Sequence, residues 1–251
     1  MIEKHAFTMP ENYIENISEE DYRRTTQVIE TIKSLSRMAY QSVYVIDYFR
    51  KDFLYVSDNP LFLCGLSPQE VQKQGFAFYC NHVPKEEVEM LLEINKAGFK
   101  LFNKTPANKR LNLFISYDFH IQDECSQLLI NHKLSPILLA ENGNLWLAAC
   151  VVSLATQKTA GNFEAHMHGE DYFWTYSLES RKWEKAYNNV LNEREKEILL
   201  LSAQGNTIDQ IADKLYITNN TVKYHRKNLF KKIGVSTISE ALWLAAEKKM
   251  I

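Results

Sequence analysis

Two different spacings of apolar residues divide this chain of 251 residues. From residue 191 onward the apolar positions recur every three or four residues, which predicts helices. Upstream, residues 111–122 alternate apolar and polar side chains one by one, which predicts a strand with one buried face. We therefore expect a mixed α and β region followed by an all-helical C-terminal region.

The C-terminal region contains start and stop signals for a compact series of helices. Asn192 is a good N-cap for the first helix, and Gly205 suits the position just past its end, where φ becomes positive. Ala212 is small, at a point where two helices are expected to cross closely. Thr218 is a cap for a third helix. The second and third helices are expected at about Thr207–Leu215 and 219–232.

The third predicted helix separates an apolar face from a basic one. Val222, Leu229 and Ile233 fall on the side expected to join a core. The opposite side carries Asn220, Lys223, Tyr224, Lys227 and Lys231. Five Lys or Arg and no acid lie between Lys223 and Lys232. Such a helix fits the major groove of DNA, where cations also contact phosphates.

A longer run of residues resembles the C-terminal domain of LuxR-type regulators, also called GerE- or FixJ-type. The matching residues are Leu191, Glu193–Arg194–Glu195, Ile198, Gly205, Ile208, Ile211–Ala212, Leu215, Ile217, Thr221–Val222–Lys223, His225, Asn228–Leu229, Lys232 and Gly234–Val235. The resemblance covers about 60 of the 251 residues. It implies a four-helix DNA-binding domain whose last helix lies at about Thr237–Lys249.

The resemblance also implies roles for individual side chains of the third helix. Residues that match Lys223, Tyr224 and Lys227 approach bases in such domains, and those that match Thr221 and His225 approach phosphates. We predict base contacts by Asn220, Lys223, Tyr224 and Lys227, and phosphate contacts by Thr221, His225, Arg226 and Lys231. The chain has Asn192 and Thr218 where the family commonly has Thr and Ser, and Tyr224 leaves the base preference open.

The N-terminal region predicts a helix, a sheet and several short helices. Residues 18–39 have a weakly apolar helical stripe that is expected to dock on a sheet, with pairing to a second copy as the alternative. The other expected elements are strands at 42–47, 53–57, 111–122, 128–139 and 145–155, and helices at 59–63, 68–73 and 85–96. Asn142–Gly143 suits a type I′ turn between the last two strands.

This order of elements resembles a PAS sensor domain, and the segment IDYFRKDFLYVSDNPLFLCGLSPQEV is similar to the opening of such domains. The resemblance spans residues of about 40–157. It implies a pocket between the sheet and the short helices. It also implies that the domain senses a small molecule or mediates dimerisation.

Sharper cofactor and metal hypotheses find little support in the sequence. A flavin photosensor of this superfamily needs Cys where this chain has Phe78, and Cys80 is out of register. His82 and His120 are the nearby candidates for a haem ligand, and each is more simply a polar surface residue. Glu164, His166 and His168 lie in a polar stretch that we interpret as a loop and not as a metal site. We expect no cofactor and no metal.

Charge separates the two regions. Residues 184–251 carry 11 Lys and Arg against 8 Asp and Glu, a net charge of +3, and the preceding 183 residues carry 18 against 23, a net charge of −5. A basic C-terminal end is expected when that end alone contacts DNA. No apolar run is long enough to span a membrane.

The four cysteines have no zinc-site or CxxC spacing. Without a signal peptide, we interpret Cys64, Cys80, Cys125 and Cys150 as reduced thiols of a cytoplasmic protein, with redox sensing as a minor alternative.

The sequence thus predicts an α+β protein: a PAS-like antiparallel sheet with short helices, then an all-α four-helix domain. The expected domains are a helical extension at 1–40, a PAS-like domain at 41–157, a loop, aromatic hairpin and linker at 158–187, and the helix-turn-helix domain at 188–251. We expect a homodimeric, sequence-specific transcription regulator that binds duplex DNA, with a small-molecule ligand as an option for the PAS-like domain.

Three other functions compete with this prediction. A sigma-type promoter-recognition factor would need a helical domain upstream, where this chain predicts strands. A signalling adaptor would use the PAS-like domain as its main interaction module. An enzyme is not expected, because no phosphate-binding Gly loop, nucleophile elbow or metal-ligand cluster occurs.

Overall fold

The computed structural model describes residue 7 and residues 9–124, 126–187, 191–248 and 250–251. The described residues divide into two compact units, one ending at Ala186 and the other beginning at Tyr187. The predictions that fall partly or wholly outside them include the helical extension at 1–40, the thiol of Cys125, a domain start at residue 188 and a helix end at Lys249.

The first unit is built on one sheet of eight strands. The strands are β1 (Ser42–Asp47), β2 (Asp52–Val56), β3 (Leu113–Gln122), β4 (Gln127–Leu139), β5 (Leu145–Leu154), β6 (Gly161–Met167), β7 (Tyr172–Ser177) and β8 (Lys182–Tyr187). Their order across the sheet is β2-β1-β5-β4-β3-β6-β7-β8. The pairings from β2 across to β7 are antiparallel, which confirms the predicted antiparallel sheet.

The first unit also contains five α-helices among its described residues. They are α1 (Glu19–Ser36), α2 (Pro60–Leu63), α3 (Pro68–Gln74), α4 (Ala77–His82) and α5 (Lys85–Lys104), with short 3-10 turns at Pro10–Asn12 and Ala107–Asn112. The sequence does not predict α4, whose N-cap is Phe76 and makes no side-chain capping bond. Helix α5 runs eight residues past its predicted end before Thr105 stops it.

Two apolar clusters lie on opposite faces of the sheet. The larger packs the inner face of the strands against α2 to α5. The smaller joins Ile29 of α1 to Val45 and Trp146 on the other face. Hydrogen bonds reinforce this second contact, since Tyr22 donates to Asp47 at 2.5 Å and Ser36 shares one with Tyr55 at 2.6 Å. The prediction that the first helix docks on a sheet is confirmed.

The stretch after β5 differs from the prediction. We interpreted residues around Glu164 and His166 as a loop, and this is wrong because they lie in β6. Strand β6 pairs with β3, and its inner residues Phe163 and Ala165 are fully enclosed in the core. Asn162, Glu164 and His166 alternate with these residues and belong to the outer face of the sheet. Strands β7 and β8 follow as the expected aromatic hairpin, and Trp183 packs on Phe163 at a centroid distance of 4.8 Å.

The turn between β4 and β5 is a hairpin of another type than predicted. A type I′ turn needs positive φ at both central residues. Gly143 has φ of 79°, but Asn142 is not among the residues with positive φ. Asn142 instead accepts a hydrogen bond from the backbone of Asn144 and donates one to the carbonyl of Tyr13. The side chain of Asn142 thus ties the turn to the N-terminal segment.

From Glu193 to near its end the second unit consists of helices and short connections. The helices are α6 (Glu193–Ala203), α7 (Ile208–Leu215), α8 (Asn219–Ile233) and α9 (Ile238–Glu247). These bounds lie within two residues of the predicted ones for the first three helices. No helix among the described residues of either unit is long and apolar enough to cross a membrane.

Candidate DNA-recognition face and buried cavity

Side-chain caps fix where each helix of the second unit begins. Asn192, Thr207 and Thr237 each accept a hydrogen bond from the residue three positions on, whose own side chain bonds back to the cap. Thr218 accepts from the backbone of Thr221 and so starts α8. Because capping satisfies otherwise unpaired N–H groups, each helix start is determined by the local sequence.

Helix α8 buries one face in the core of this unit. Val222, Leu229 and Ile233 are buried, Val222 against Ile198, Ile211 and Ala212. At about 100° per residue these three positions lie within about 40° of one another. Ala212 is almost completely enclosed, as expected for a small residue where helices cross.

The opposite face of α8 is open to solvent. It holds the four residues that the sequence analysis predicts to contact bases, and all four are exposed: Asn220, Lys223, Tyr224 and Lys227. They fall within about 100° of arc at ~100° per residue. Tyr224 retains 62% of its accessible surface. An aromatic ring so exposed adds nothing to the core, so its place on this face needs another explanation.

The residues predicted to contact phosphate flank that face. Thr221, His225 and Arg226 are half-buried and Lys231 is exposed. Thr221 and His225 lie along one side, whereas Arg226 lies on the other, 5.8 Å from the ring centre of Phe230. The structure therefore brings all eight predicted residues onto one helix, four on an exposed face and the others beside it or at its end.

Two further contacts hold α8 against its neighbours, and sequence reasoning did not assign them. Lys232 donates to Glu195 at 3.0 Å, and Glu195 is buried at the start of α6. The side chain of Asn219 donates to Asp209 of α7. A buried carboxylate with a cationic partner on another helix would be recognisable only if the crossing of α6 and α8 were already known.

A cavity of about 60 Å³ lies inside the first unit. Its wall comes from β1, β3, β4, β5, α5 and the segments around Tyr48, Phe76 and Tyr79. Most of the lining is aromatic or aliphatic, with Tyr48, Tyr79, Asn95 and Tyr117 as its polar members. Sequence reasoning expected a pocket between sheet and helices but named none of these residues, because they are far apart in the chain.

A buried chain of polar groups leads away from Tyr79 into the sheet. Tyr79 and Tyr44 share a hydrogen bond, and Tyr44 shares a second with Nε2 of His132 at 2.6 Å. Nδ1 of His132 is buried and has no partner among the described residues. Burial lowers the pKa of His132 to about 3. The imidazole is therefore neutral at physiological pH.

The residues weighed for cofactor or metal binding are engaged elsewhere. His82 lies 3.1 Å from the carbonyl of Gln122, and His120 pairs with Glu87 at 2.6 Å. His166 pairs with Glu164 at 2.9 Å and stacks on Phe114. Among the described residues, no three His, Cys, Asp or Glu side chains come together as a metal site.

The described cysteines are free thiols whose burial disfavours the thiolate form. Burial raises the pKa of Cys64 to about 11 and raises the pKa of Cys150 further still. Burial also raises the pKa of Cys80. Since the thiolate is the reactive form, these environments do not favour a redox sensor.

Comparison with known proteins assigns the second unit to a class. Residues 189–245 match the family model of bacterial regulatory proteins of the luxR family. This stretch is a LuxR-type helix-turn-helix domain, as the resemblance in the sequence implied. Proteins of that family are DNA-binding regulators and not enzymes.

Curated relatives match over short stretches of the chain. The transcriptional activator protein EchR of Dickeya chrysanthemi is 41% identical over 63 residues, which are 25% of each chain. The probable transcriptional regulatory protein SgaR of Hyphomicrobium methylovorum is 50% identical over 54 residues, 22% of this chain and 26% of that protein. The chain thus spans about a quarter of the length of these relatives.

A solved structure aligns over more of the chain but only loosely. It is the Vibrio cholera VqmA complex with ligand and DNA, which is 15% identical and covers 88% of this chain and 89% of its own. The TM-score is 0.34. A TM-score this low does not show that the first unit shares the fold of that protein.

Proposed function

We propose that this chain is a sequence-specific DNA-binding transcription regulator. Helix α8 enters the major groove, and the first unit, a PAS-like sensing or dimerisation domain, controls that binding. The observation that carries the proposal is the exposed face of α8, where Asn220, Lys223, Tyr224 and Lys227 lie opposite the buried core residues.

The chemistry of that face supports base recognition. The major groove admits one α-helix and displays hydrogen-bond donors and acceptors at the base edges. Lys223 and Lys227 supply donors, Asn220 supplies both a donor and an acceptor, and Tyr224 adds a flat apolar surface. Thr221, His225, Arg226 and Lys231 flank or extend the face and suit phosphate contacts, which position the helix without reading sequence.

The architecture of the first unit supports the PAS-like assignment. Its first two strands, short helices and three long antiparallel strands follow the order that the resemblance implies. The cavity lies where the resemblance places a pocket, between the sheet and α5. Strands β6 to β8 extend the sheet beyond that pattern.

A homodimer is the form in which we expect the protein to act. Two copies of α8 would lie in successive major grooves of a roughly palindromic site, one helical turn or a multiple of it apart. The first unit would then set the geometry of the dimer or the freedom of the helix-turn-helix domains.

Selection of duplexes from a random library by the full-length protein tests this proposal. We expect enrichment of a sequence with two half-sites at moderate salt. Lys223→Ala and Lys227→Ala should each weaken binding to that sequence by about 1–3 kcal/mol and alter preference at one base position. Tyr224→Ala should alter preference more than the salt dependence, since an uncharged side chain releases few counterions.

Lys196→Ala is the matched control for these variants. It removes the same charge from α6, where Lys196 pairs with Glu193 at 3.0 Å. If all three α8 variants bind selected and random duplexes as the control does, α8 is not the reading helix. No enrichment by the full-length protein under any condition would remove the regulator proposal itself.

A further inference from the structure

The cavity of the first unit has a lining without formal charge. No Asp, Glu, Lys, Arg or His occurs among the described residues that surround it. Burying an ion there would leave its charge uncompensated, at a large cost in free energy. The uncharged lining therefore favours a neutral occupant.

Two hydroxyl groups of the lining are available to an occupant. Tyr48 is buried and Tyr117 is half-buried, and neither hydroxyl has a hydrogen-bond partner among the described residues. Burial raises the pKa of both phenols, which keeps them protonated. A hydroxyl group that lines a cavity without a partner in the protein can donate a hydrogen bond to an occupant and accept one from it.

The size of the cavity limits that partner. A water molecule needs roughly 10–15 Å³ of such volume, so about 60 Å³ holds roughly four to six waters. The rings of Phe76 and Phe99 and the side chains of Leu91 and Ile94 form apolar walls. Space of this kind suits a molecule of one ring with a polar substituent better than water alone.

We propose that the cavity binds a neutral, mostly apolar small molecule of single-ring size, held by hydrogen bonds to Tyr48 and Tyr117. The proposal rests on the proposed function and supplies the chemical class of the signal. Carboxylates and phosphates are outside that class because they carry charge.

Benzamide and benzoate form a matched pair of probes, since they share a shape and differ in charge. Binding to the full-length protein without DNA is measured by ligand-detected NMR and calorimetry. We expect millimolar or tighter binding of benzamide and at least roughly tenfold weaker binding of benzoate. 2-Naphthamide, with a second ring, should also bind more weakly. Equal binding of benzoate or tighter binding of 2-naphthamide would overturn the proposal.

Three variants locate the probe. Tyr48→Phe and Tyr117→Phe each remove one hydroxyl and should weaken benzamide binding by roughly three- to tenfold. Tyr55→Phe is the control, because its hydroxyl bonds to Ser36 on the other face of the sheet. Unchanged binding in both cavity variants would contradict the proposal.

Gly98→Ala tests the space itself and keeps the test valid if a tyrosine variant misfolds. The added Cβ would lie 3.5 Å from Cδ1 of Ile115 and 3.7 Å from Cζ of Phe163, which are ordinary contacts. Alanine also favours the helix, so the variant should fold. It should weaken benzamide binding by roughly threefold or more, and unchanged affinity would place the probe elsewhere.

These outcomes are separable from those of the proposed function. Benzamide binding without any duplex selection would leave the ligand class standing and remove the regulator proposal. Duplex selection with no binding of either probe at millimolar concentration would do the reverse.

Discussion

The two units of this protein differ in how far apart along the chain the residues that define their structure lie. In the second unit each helix starts at a polar residue that caps it three positions on, as Asn192 and Thr218 do. In the first unit the sheet places β1 beside β5, whose residues are about 100 positions later. Local capping residues thus define the helix boundaries of the second unit. The sheet of the first unit depends on pairing between distant segments, which the sequence pattern does not show.

The units also differ in how they treat polar groups. The first unit buries Asp47, Asp118 and His132, each held by hydrogen bonds from other elements. The second unit buries Glu195 beside Lys232, and its other described charged side chains are half-buried or exposed. The first unit is therefore the one whose stability should respond more to pH, because it buries His132.

Replacing one buried isoleucine by alanine in each unit should show the largest difference between the units, which is a difference in the shift of Tm. Ile130 and Ile198 are both fully buried, one in β4 and the other in α6. Replacing either by Ala should cost about 2–5 kcal/mol. The same loss should lower the Tm of the small second unit by roughly twice as many degrees as that of the first, because a smaller domain has a smaller unfolding entropy. Calorimetry of the full-length variants measures both transitions.

Circular dichroism and duplex binding at 37 °C supply the second readout for this pair. Ile198→Ala should lose duplex binding, while Ile130→Ala retains the folded second unit. Equal Tm shifts, or one shared transition in both variants, would show that the two units do not unfold separately.

The pH response should be the next largest effect and should belong to the first unit. The pKa of His132 is about 3 when folded and 6.5 when unfolded, so the unfolded chain binds the proton first as the pH falls. Stability is complete above about pH 6.5 and decreases below it, by about 2 kcal/mol at pH 5 from this group. Urea unfolding at several pH values measures this slope.

His132→Gln removes the titration and keeps a polar group near Tyr44. The difference in slope between the variant and the wild-type protein isolates His132 from the other histidines. A variant as sensitive to acid as the wild type would show that His132 is not the group that titrates.

The elements of the second unit could be predicted from the sequence more closely than those of the first unit. Capping and periodicity predicted α6 to α8 closely, and the exposed face of α8 followed from helical geometry alone. Strand β6 was missed although Phe163, Ala165 and Met167 alternate with polar residues, because glycine and charge around them suggested a loop. Helix α4 was not predicted because no side chain caps its start.

The cavity marks the limit of prediction from sequence. Tyr48, Tyr79 and Tyr117 reach it from three separate parts of the chain, and each is an unremarkable aromatic residue in its own segment. The strand order β1-β5-β4-β3 brings Tyr48 and Tyr117 to one face of the sheet, and the packing of α4 on that face adds Tyr79. Partnerless hydroxyls become informative once that enclosure is known.

Loss of the cap on α8 should have a moderate effect confined to the second unit. Thr218→Ala removes the bond that the side chain accepts from the backbone of Thr221, and should cost about 1 kcal/mol. Ser67→Ala is the counterpart in the first unit, where the cap starts α3. Each variant should lower the Tm of its own unit only. A shift of both transitions by Thr218→Ala would mean that the units are coupled.

The smallest effect should come from two residues held at positive φ. Lys51 has φ of 61° in the turn between β1 and β2, and Tyr216 has φ of 54° between α7 and α8. Glycine adopts this conformation without strain but loses more entropy on folding, so each change to Gly should alter stability by no more than about 1 kcal/mol. Tyr216 retains 95% of its accessible surface, so the Tyr216→Gly variant loses almost no packing.

If Tyr216→Gly keeps the Tm of the second unit and yet weakens duplex binding, its ring contacts DNA. Unchanged binding would confine recognition to α8, and Lys51→Gly should leave duplex binding unchanged in either case.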